Sequence, residues 1–373
     1  MRYCTLCIQP DTRPGTKFND DGICPACSYF RSLTTVDWES RGRELKKIVR
    51  FGKLHSSSGY DSIIGVSGGK DSFRQALFVR EVLKMKPLLV SLSYPPHQVS
   101  QRGVDNLSNL IEHGFDCISI SPGPETWRLL MHKGFVRHSN WARSTELALF
   151  SSVPRLAIAY QIPLVWWGEN SALQLGELSV MGAGGADGNN LRNMNTLGGG
   201  DVSWLLDASV GQSQILQYMY PSVSEMQKAK IRICFLGYFW RDWSSVDNAN
   251  FSALRGLEIR RQPPWEIGDL YGVSSLDEDW VSLNQMIKYL KFGFGRVTDF
   301  VNEEIRNGRL SREDAIRLAQ LYDGKCSEDC IESFSNYIGI SVRDFWERVD
   351  AAVNVELFEK ISVGVYRPKF LVG

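Results

Sequence analysis

The feature that most constrains this chain is a short apolar strand pattern, Ile63-Ile64-Gly65-Val66, running straight into Ser67-Gly68-Gly69-Lys70-Asp71-Ser72 and then into a helical pattern from about Ser72 to Met85. A strand, a glycine-rich turn and a helix of this kind are buried when parallel strands return on either side. The chain supplies those strands. Leu88-Leu89-Val90-Ser91-Leu92 is a second strand pattern, and residues 101–113 form a second helix ended by Gly114. Cys117-Ile118-Ser119-Ile120 is a third strand, residues 125–133 and 143–161 are helical, and Pro163-Leu164-Val165-Trp166-Trp167 is a fourth strand. The order βαβαβααβ predicts an α/β fold with a doubly wound parallel sheet. Residues 231–240 return to a strand pattern, and the remainder reads as mainly helical. Ser311-x-x-Asp314 and Ser341-x-x-Asp344 there resemble acidic variants of the capping box. There is no internal repeat.

In the loop itself, the glycines let the backbone turn tightly and bring N–H groups against an anion, while the helix N-terminus adds a favourable dipole field. The Ser67 and Ser72 hydroxyls and the Lys70 ammonium reach the same phosphates. The spacing is not Gly-x-x-x-x-Gly-Lys-[Ser/Thr], so a γ-phosphate kinase does not fit. A strand-to-helix turn without a ligand is the plain alternative.

Residues 1 to about 30 lack periodicity and are rich in Pro, Gly and Asp, so they need an external staple. Cys4-x-x-Cys7 and Cys24-x-x-Cys27, sixteen residues apart, offer one. Four thiolates in this spacing surround one tetrahedral Zn²⁺ with no open position, which makes the site structural. An iron–sulfur cluster or two redox pairs are the alternatives. Cys117 and Cys234 read as core residues, which leaves Cys326-x-x-x-Cys330 without a role. Residues 181–200, with seven glycines among Asn and Asp, break the pattern. They predict a mobile segment over the pocket that orders with ligand.

The six loop residues resemble the Ser-Gly-Gly-x-Asp-Ser signature of the PP-loop ATP pyrophosphatases. That family cleaves ATP to AMP and pyrophosphate while adenylating an oxygen of its substrate. The resemblance implies an adenine nucleotide alpha hydrolase-like sheet, ATP and Mg²⁺ as cofactors, Ser67, Gly68, Gly69, Lys70, Asp71 and Ser72 at the nucleotide, and Lys70, Asp71 and Glu169 in catalysis. It also places Glu169, in Trp167-Gly168-Glu169-Asn170, where the family's Mg²⁺-holding carboxylate stands, with Asp71 as a second magnesium ligand. A helix cap at the strand end is the plain alternative for Glu169. Asn170 beside it is a candidate substrate contact.

A third constellation is Tyr289-Leu290-Lys291-Phe292-Gly293-Phe294-Gly295-Arg296-Val297-Thr298-Asp299. Two glycines and two cations amid aromatics bring backbone and charge to an anionic ligand, and a helix end capped by Gly293 accounts for half of the signal. Lys291, Arg296 and Asp299 are the candidate substrate residues. Together with the Cys₄ N-terminus, Pro10-Asp11-Thr12-Arg13-Pro14, the PP-loop and Leu236-Gly237-Tyr238, this stretch is similar to the N-acetyl sugar amidotransferases of bacterial surface-polysaccharide synthesis. The likeness is to the lipopolysaccharide O-antigen type, with the pseudaminic acid enzymes as relatives, and runs over nearly the whole chain. It implies that ATP adenylates the acetamido oxygen of a nucleotide-activated sugar and that ammonia displaces AMP to leave an acetamidino group. The sugar is UDP-linked diacetamido-uronic acid or CMP-linked pseudaminic acid. Three regions result: a zinc-knuckle module and helix over 1–55, the PP-loop ATP pyrophosphatase domain over 56–260, and a mainly helical region over 261–373 that contributes to the substrate site.

Composition narrows the remaining classes. Lys plus Arg and Asp plus Glu both number 42, so the 373-residue chain has no net charge and offers no global polyanion-binding surface. That disfavours tRNA thiolation, the competing enzyme reading, which also wants an active cysteine pair. A nucleotide-sensing scaffold without chemistry is the non-enzymatic reading. No apolar run reaches about 18 residues and the start has no apolar signal core, so the expectation is a cytoplasmic protein without a membrane span and without a nucleic-acid partner. No cysteine lies in a Gly-x-Cys-x-Gly turn and Met1-Arg2 supplies no N-terminal cysteine, so glutamine hydrolysis is not expected of this chain. The resemblance implies a separate glutaminase subunit, similar to the histidine-biosynthesis glutaminase with its cyclase, as the ammonia source.

Overall fold

The computed structural model describes residues 1–174, 176, 186–194 and 196–373. Five strands form one parallel sheet: β1 (Ser62–Gly65), β2 (Pro87–Leu92), β3 (Cys117–Ile120), β4 (Leu164–Trp167) and β5 (Arg232–Phe235). Their order is β3-β2-β1-β4-β5. The winding direction reverses between β1 and β4, so the loops leaving their carboxyl ends part there and open a crevice. The expected doubly wound α/β sheet is what the chain forms.

Strand periodicity explains why these segments read as unbroken apolar runs. Alternate side chains point to opposite faces, and both faces are covered. Ile63, Leu88, Val165 and Trp167 join a core with Trp127, Phe135 and Leu147, whereas Ile64, Leu89 and Trp166 join Phe73, Leu77 and Ile48 on the other side. The first core continues without a break into the later helices, through Trp280, Leu283, Phe334 and Phe345. The C-terminal helices therefore extend the sheet's core.

Several boundaries differ from the sequence reading. The helix after the loop is Lys70–Glu81, starting directly on Gly69. The strand expected over 231–240 ends at Phe235 and turns into a 3₁₀ segment, Leu236–Phe239. A β-hairpin of β6 (Phe358–Ser362) and β7 (Val365–Pro368) stands where helix was expected, because five residues alternating inside a helix-rich stretch give too weak a signal. Ser311 and Ser341 do cap the helices Arg312–Tyr322 and Val342–Asp350.

The segment expected to be mobile is a correction. Residues 181–185 and 195 lie outside the described residues, but much of the remaining stretch up to residue 200 is packed down. The Gly188 N–H donates to the Ile233 carbonyl at 2.7 Å, and Leu191 and Leu197 are buried in the first core. Their apolar side chains outweigh the freedom of the neighbouring glycines.

The cysteine module at the N-terminus is mounted on the far end of the chain. The Ile8 N–H donates to Asn302 Oδ1 at 2.9 Å, the Thr12 hydroxyl donates to the Phe292 carbonyl, and the Ile8 side chain packs with Val297, Val301, Ala315 and Ala319.

Gly237 fixes the packing against the carboxyl end of β4. A Cβ there would lie 2.8 Å from the Glu169 carbonyl oxygen and 2.9 Å from that of Gly168, both backbone atoms. Gly237→Ala is therefore expected to cost about 1–3 kcal/mol and to push the β4 end out of line. Thermal melts together with nucleotide binding check this, and an unchanged melting temperature would show that the two segments yield freely.

Candidate active site

The phosphate-type loop keeps its helix N-terminus open. Gly69 is the N-cap of Lys70–Glu81, and no side chain caps the helix. Its first N–H groups thus face the crevice as donors for an anion. Gly68 makes the turn with φ +75°, a left-handed value that favours glycine, and a Cβ there would meet the Leu107 nitrogen at 2.8 Å. The Lys70 ammonium, almost wholly buried, lies 2.7 Å from Asp71 Oδ2, and Asn248 Nδ2 donates to Asp71 Oδ1 at 2.6 Å. Arg74 holds Asn248 in turn, at 2.7 Å, and the Ser252 hydroxyl donates to the Lys70 carbonyl. The helix Ser245–Ala253 that carries Asn248 and Ser252 is thereby braced against the loop.

Glu169 stands opposite, at the end of β4, with the Gly168 carbonyl beside it tied to Trp243 Nε1 at 2.8 Å. Burial, then the Asp71 charge, pushes its carboxyl up to about 7. Two carboxyls sharing a lobe, next to a place for phosphates, are the hard oxygen donors that suit Mg²⁺. Asp71 and Glu169 fit that ion.

The crevice has two lobes that share Lys70, Asp71, Glu169 and Ser275. One is mainly apolar, with Val90, Leu92, Phe150, Val153 and Trp167 in its walls and Leu276 and Asp277 as a roof. The other is polar and includes Ser245, Arg296, Asp299 and Glu303. Its far wall is the helix Arg296–Arg306, whose own N-terminus is filled from within. Asp323 accepts from the N–H groups of Gly295 and Val297, at 3.0 and 2.8 Å, and from the Thr298 hydroxyl. Within Phe292-Gly293-Phe294-Gly295, the Gly295 N–H is thus spent on a protein carboxylate and the Gly293 N–H on the Tyr289 carbonyl at 2.7 Å, so neither glycine offers its N–H to an anionic ligand as the sequence led one to expect.

Of the predicted substrate residues, Arg296 and Asp299 reach the polar lobe. Lys291 does not: its ammonium donates to the His138 and Ser139 carbonyls, at 2.7 and 3.2 Å, at the end of the helix Pro124–His138. Asn170 is also committed elsewhere. Buried beneath the crevice, its Oδ1 accepts from the Leu173 N–H at 3.1 Å and its Nδ2 donates to the Gly237 carbonyl at 3.3 Å. Both corrections have one cause, since spacing cannot tell which backbone carbonyls a side chain will meet. Asn248, Glu303 and Asp277 went unnoticed because each comes from a segment without a motif of its own. Arg13 stood in the quoted Pro10-Asp11-Thr12-Arg13-Pro14 without a role of its own.

Asp299 links the cysteine module to the site. Arg13, itself buried and stacked 4.4 Å from the centre of the Phe294 ring, forms an ion pair with Asp299 Oδ1, and Lys288 Nζ sits 2.6 Å from Oδ2. Burial works against the charge, but Arg13 and then Lys288 outweigh it and hold this carboxyl well below the usual range. Burial lowers Lys288 to about 8.

Cys4, Cys7, Cys24 and Cys27 are all buried, and their sulfurs lie within 4.8 Å of one another. The Cys7 and Cys24 sulfurs are 3.7 Å apart. A tetrahedral ion with metal–sulfur bonds of about 2.3 Å has edges of about 3.8 Å, so the set fits a single ion. The Cys24 and Gln9 N–H groups donate to Cys4 and Cys7 Sγ, at 3.2 and 3.4 Å, as orienting bonds. A four-iron cluster, which puts one thiolate on each iron, spreads its sulfurs wider.

Because Asp299 is depressed, its contribution to stability is present above the unfolded aspartate value of about 3.9 and is lost as pH falls toward the folded one. Asp299→Asn is expected to cost about 3 kcal/mol at neutral pH, with the gap to the parent closing as pH drops below about 4. Thermal melts from pH 7 to pH 3 measure this, and a constant gap would contradict the ion-pair account.

Among curated proteins none matches the chain. The solved structures similar over part of it include two enzymes. The NH3-dependent NAD synthetase from Campylobacter jejuni, in complex with the nitrate ion, is 17% identical over 38% of this chain, with a TM-score of 0.28, and the chain spans 61% of that protein. The U34-tRNA thiolase NcsA from Methanococcus maripaludis, with its [4Fe-4S] cluster, is 14% identical over 76% of this chain and 80% of its own, with a TM-score of 0.30. Scores this low carry no argument about fold or activity. The family match concerns the part of the chain that supplies the roof of one lobe and the far wall of the other: residues 269–369 are similar to the family described as LPS biosynthesis protein WbpG-like, C-terminal domain.

Proposed function

We propose that this chain is an ATP-dependent, AMP-forming amidotransferase that converts an acetamido group of a nucleotide-activated sugar into an acetamidino group for lipopolysaccharide. One observation carries the reading. An uncapped helix N-terminus bearing Ser-Gly-Gly-Lys-Asp-Ser opens onto a crevice whose other half is the WbpG-like C-terminal domain.

The chemistry follows from what an amide lacks. Its carbonyl is a poor electrophile, so its oxygen first attacks the α-phosphorus of ATP, and the bond to pyrophosphate breaks. Ammonia then adds at the imidate carbon, and AMP departs carrying the former amide oxygen. Two protons leave the incoming nitrogen, so the neutral amidine, AMP and pyrophosphate account for every atom. The loop N–H groups, the Ser67 and Ser72 hydroxyls and the Lys70 ammonium bind the phosphates and stabilise the departing charge. Asn248 and Lys70 fix the Asp71 carboxylate, and Asp71 with Glu169 would hold Mg²⁺, which neutralises phosphate charge when bound. Arg296 offers the polar lobe a cation for the sugar's own phosphate or carboxylate. The cysteine set would hold one Zn²⁺ as a structural brace.

Thiolation of tRNA has no comparable support in the site. Cys326 and Cys330 lie outside both lobes, and Cys330 Sγ donates to the Asp279 carbonyl.

The test supplies ATP, a nucleotide-linked acetamido sugar labelled with ¹⁸O in the acetamido group, and either ammonium or glutamine. With ammonium at raised pH the label is expected in AMP and the product gains an amidine; with glutamine, only after a separate glutaminase is added. Asp71→Asn is expected to lower AMP formation by about 10²–10³-fold. Label remaining in the sugar, or glutamine used by this chain alone, would overturn the scheme.

Elemental analysis is expected to give one zinc per chain. Chelation should expose residues 1–30 to protease before the sheet melts. Iron with sulfide, or no metal, would refute the zinc assignment.

A further inference from the structure

We propose that Asp277 reads the nucleoside of the bound nucleotide, its carboxylate accepting a hydrogen bond from a ribose hydroxyl or from the exocyclic amine of the base. This deepens the function proposed above and rests on it.

The apolar lobe has the make-up of a nucleoside pocket. Val90, Leu92, Phe150, Val153 and Trp167 give a flat ring apolar walls beyond the phosphate loop, and such pockets fix orientation with a few placed polar groups. Three carboxyls line the lobe, and two of them, Asp71 and Glu169, stand at the loop. Asp277 is the third, on the roof. Ser152, which also lines the lobe, has its hydroxyl committed to the Ala148 carbonyl at 2.6 Å. The Tyr94 hydroxyl lies near Asp277 and is within reach of supplying it with one donor. An ionised carboxyl has about four lone-pair sites and no donor, so acceptor capacity remains for a ligand.

The roof is held far more firmly than a surface loop requires. The Arg260 guanidinium, buried, donates to the Ser274, Ser275 and Glu278 carbonyls and pairs with Asp279 at 2.7 Å. Arg102 donates to the Leu276 carbonyl and pairs with the same Asp279. The Ser100 N–H donates to the Asp277 carbonyl, and its hydroxyl to that of Leu276, both at 2.9 Å. Gly103 lets the following helix press against this turn, since a Cβ there would lie 2.5 Å from the Asp277 Cα. Ser275 is kept at φ +44°, a left-handed value that a serine rarely adopts. Strain retained by so many bonds is a mark of a positioned group. Burial raises the Asp277 carboxyl to about 6, with Arg260 and Arg102 working the other way, so it is mainly ionised at and above neutral pH. Glu278 and Tyr94 are further titratable groups beside it.

The experiment compares binding of ATP, 2′-deoxy-ATP, 3′-deoxy-ATP and purine riboside triphosphate by calorimetry. Each is titrated into the parent chain and into Asp277→Ala, with AMP formation measured in parallel. One analogue lacking the relevant donor is expected to bind the parent about 10- to 100-fold more weakly than ATP, and its identity names the donor. Asp277→Ala should weaken ATP by a similar factor and lose that preference. Tyr94→Phe, which leaves the carboxyl in place, should keep it. If the alanine variant does not fold, Asp277→Asn gives the comparison, since it keeps the shape and one carbonyl acceptor; a reduced preference supports the proposal and an unchanged one overturns it. A parent that binds all four alike, or an alanine variant with the parent's preference, also overturns it while leaving AMP formation standing. A folded parent that neither binds ATP nor forms AMP defeats the proposed function itself.

Discussion

A helix that begins without a cap leaves its first N–H groups to solvent or to a ligand, and the architecture around Gly69 is organised by that constraint. Parallel strands deliver the Lys70–Glu81 helix to the point where the sheet's winding reverses, so the open donors face a crevice. The neighbouring elements then protect the opening. Gly68 sits hard against the backbone at Leu107, and Ser252 and Asn248 clamp Lys70 and Asp71 from the other side. The contrast with Arg296–Arg306 is instructive. That helix has its N–H groups filled by Asp323, so the two helix starts that bound the crevice play different parts: one binds, the other is a wall.

The wall is where the ends of the chain meet. Ile8, Thr12 and Arg13 dock on the helices around residues 292–302, and the Arg13–Asp299–Lys288 cluster turns that contact into part of the polar lobe. A metal at the four cysteines would thus bear on the site by holding Arg13 in register. The N-terminal module cannot be understood as an appendage, because the residue it contributes is buried against a group lining the site.

Much of the sheet was legible because strands covered on both faces show as continuous apolar runs, and because Ser311 and Ser341 announce helix starts. The phosphate loop and the paired cysteines were legible because their function needs residues close in sequence. The losses have equally local causes. The 186–200 stretch looks mobile when its glycines are counted, yet Leu191 and Leu197 anchor it. Lys291 and Asn170 look like ligands by position, yet each finds backbone carbonyls first. Asn248, Glu303 and Asp277 carry no motif and become visible only when their segments are brought to the crevice.

By itself, then, the sequence determined the alternation of strands and helices, the open loop after β1 and the four-thiol cluster, since propensity, periodicity and short spacings act within a few turns of chain. Which distant groups complete the site was decided by the tertiary structure alone. The reversal of strand order put Glu169 opposite Asp71, the docking of the last hundred residues set Arg296 and Asp277 over the two lobes, and Asp323 closed one helix start while leaving the other free. Those choices depend on burial and on hydrogen-bond partners tens to hundreds of residues apart, and a buried donor or charge takes whichever partner the packing brings within reach.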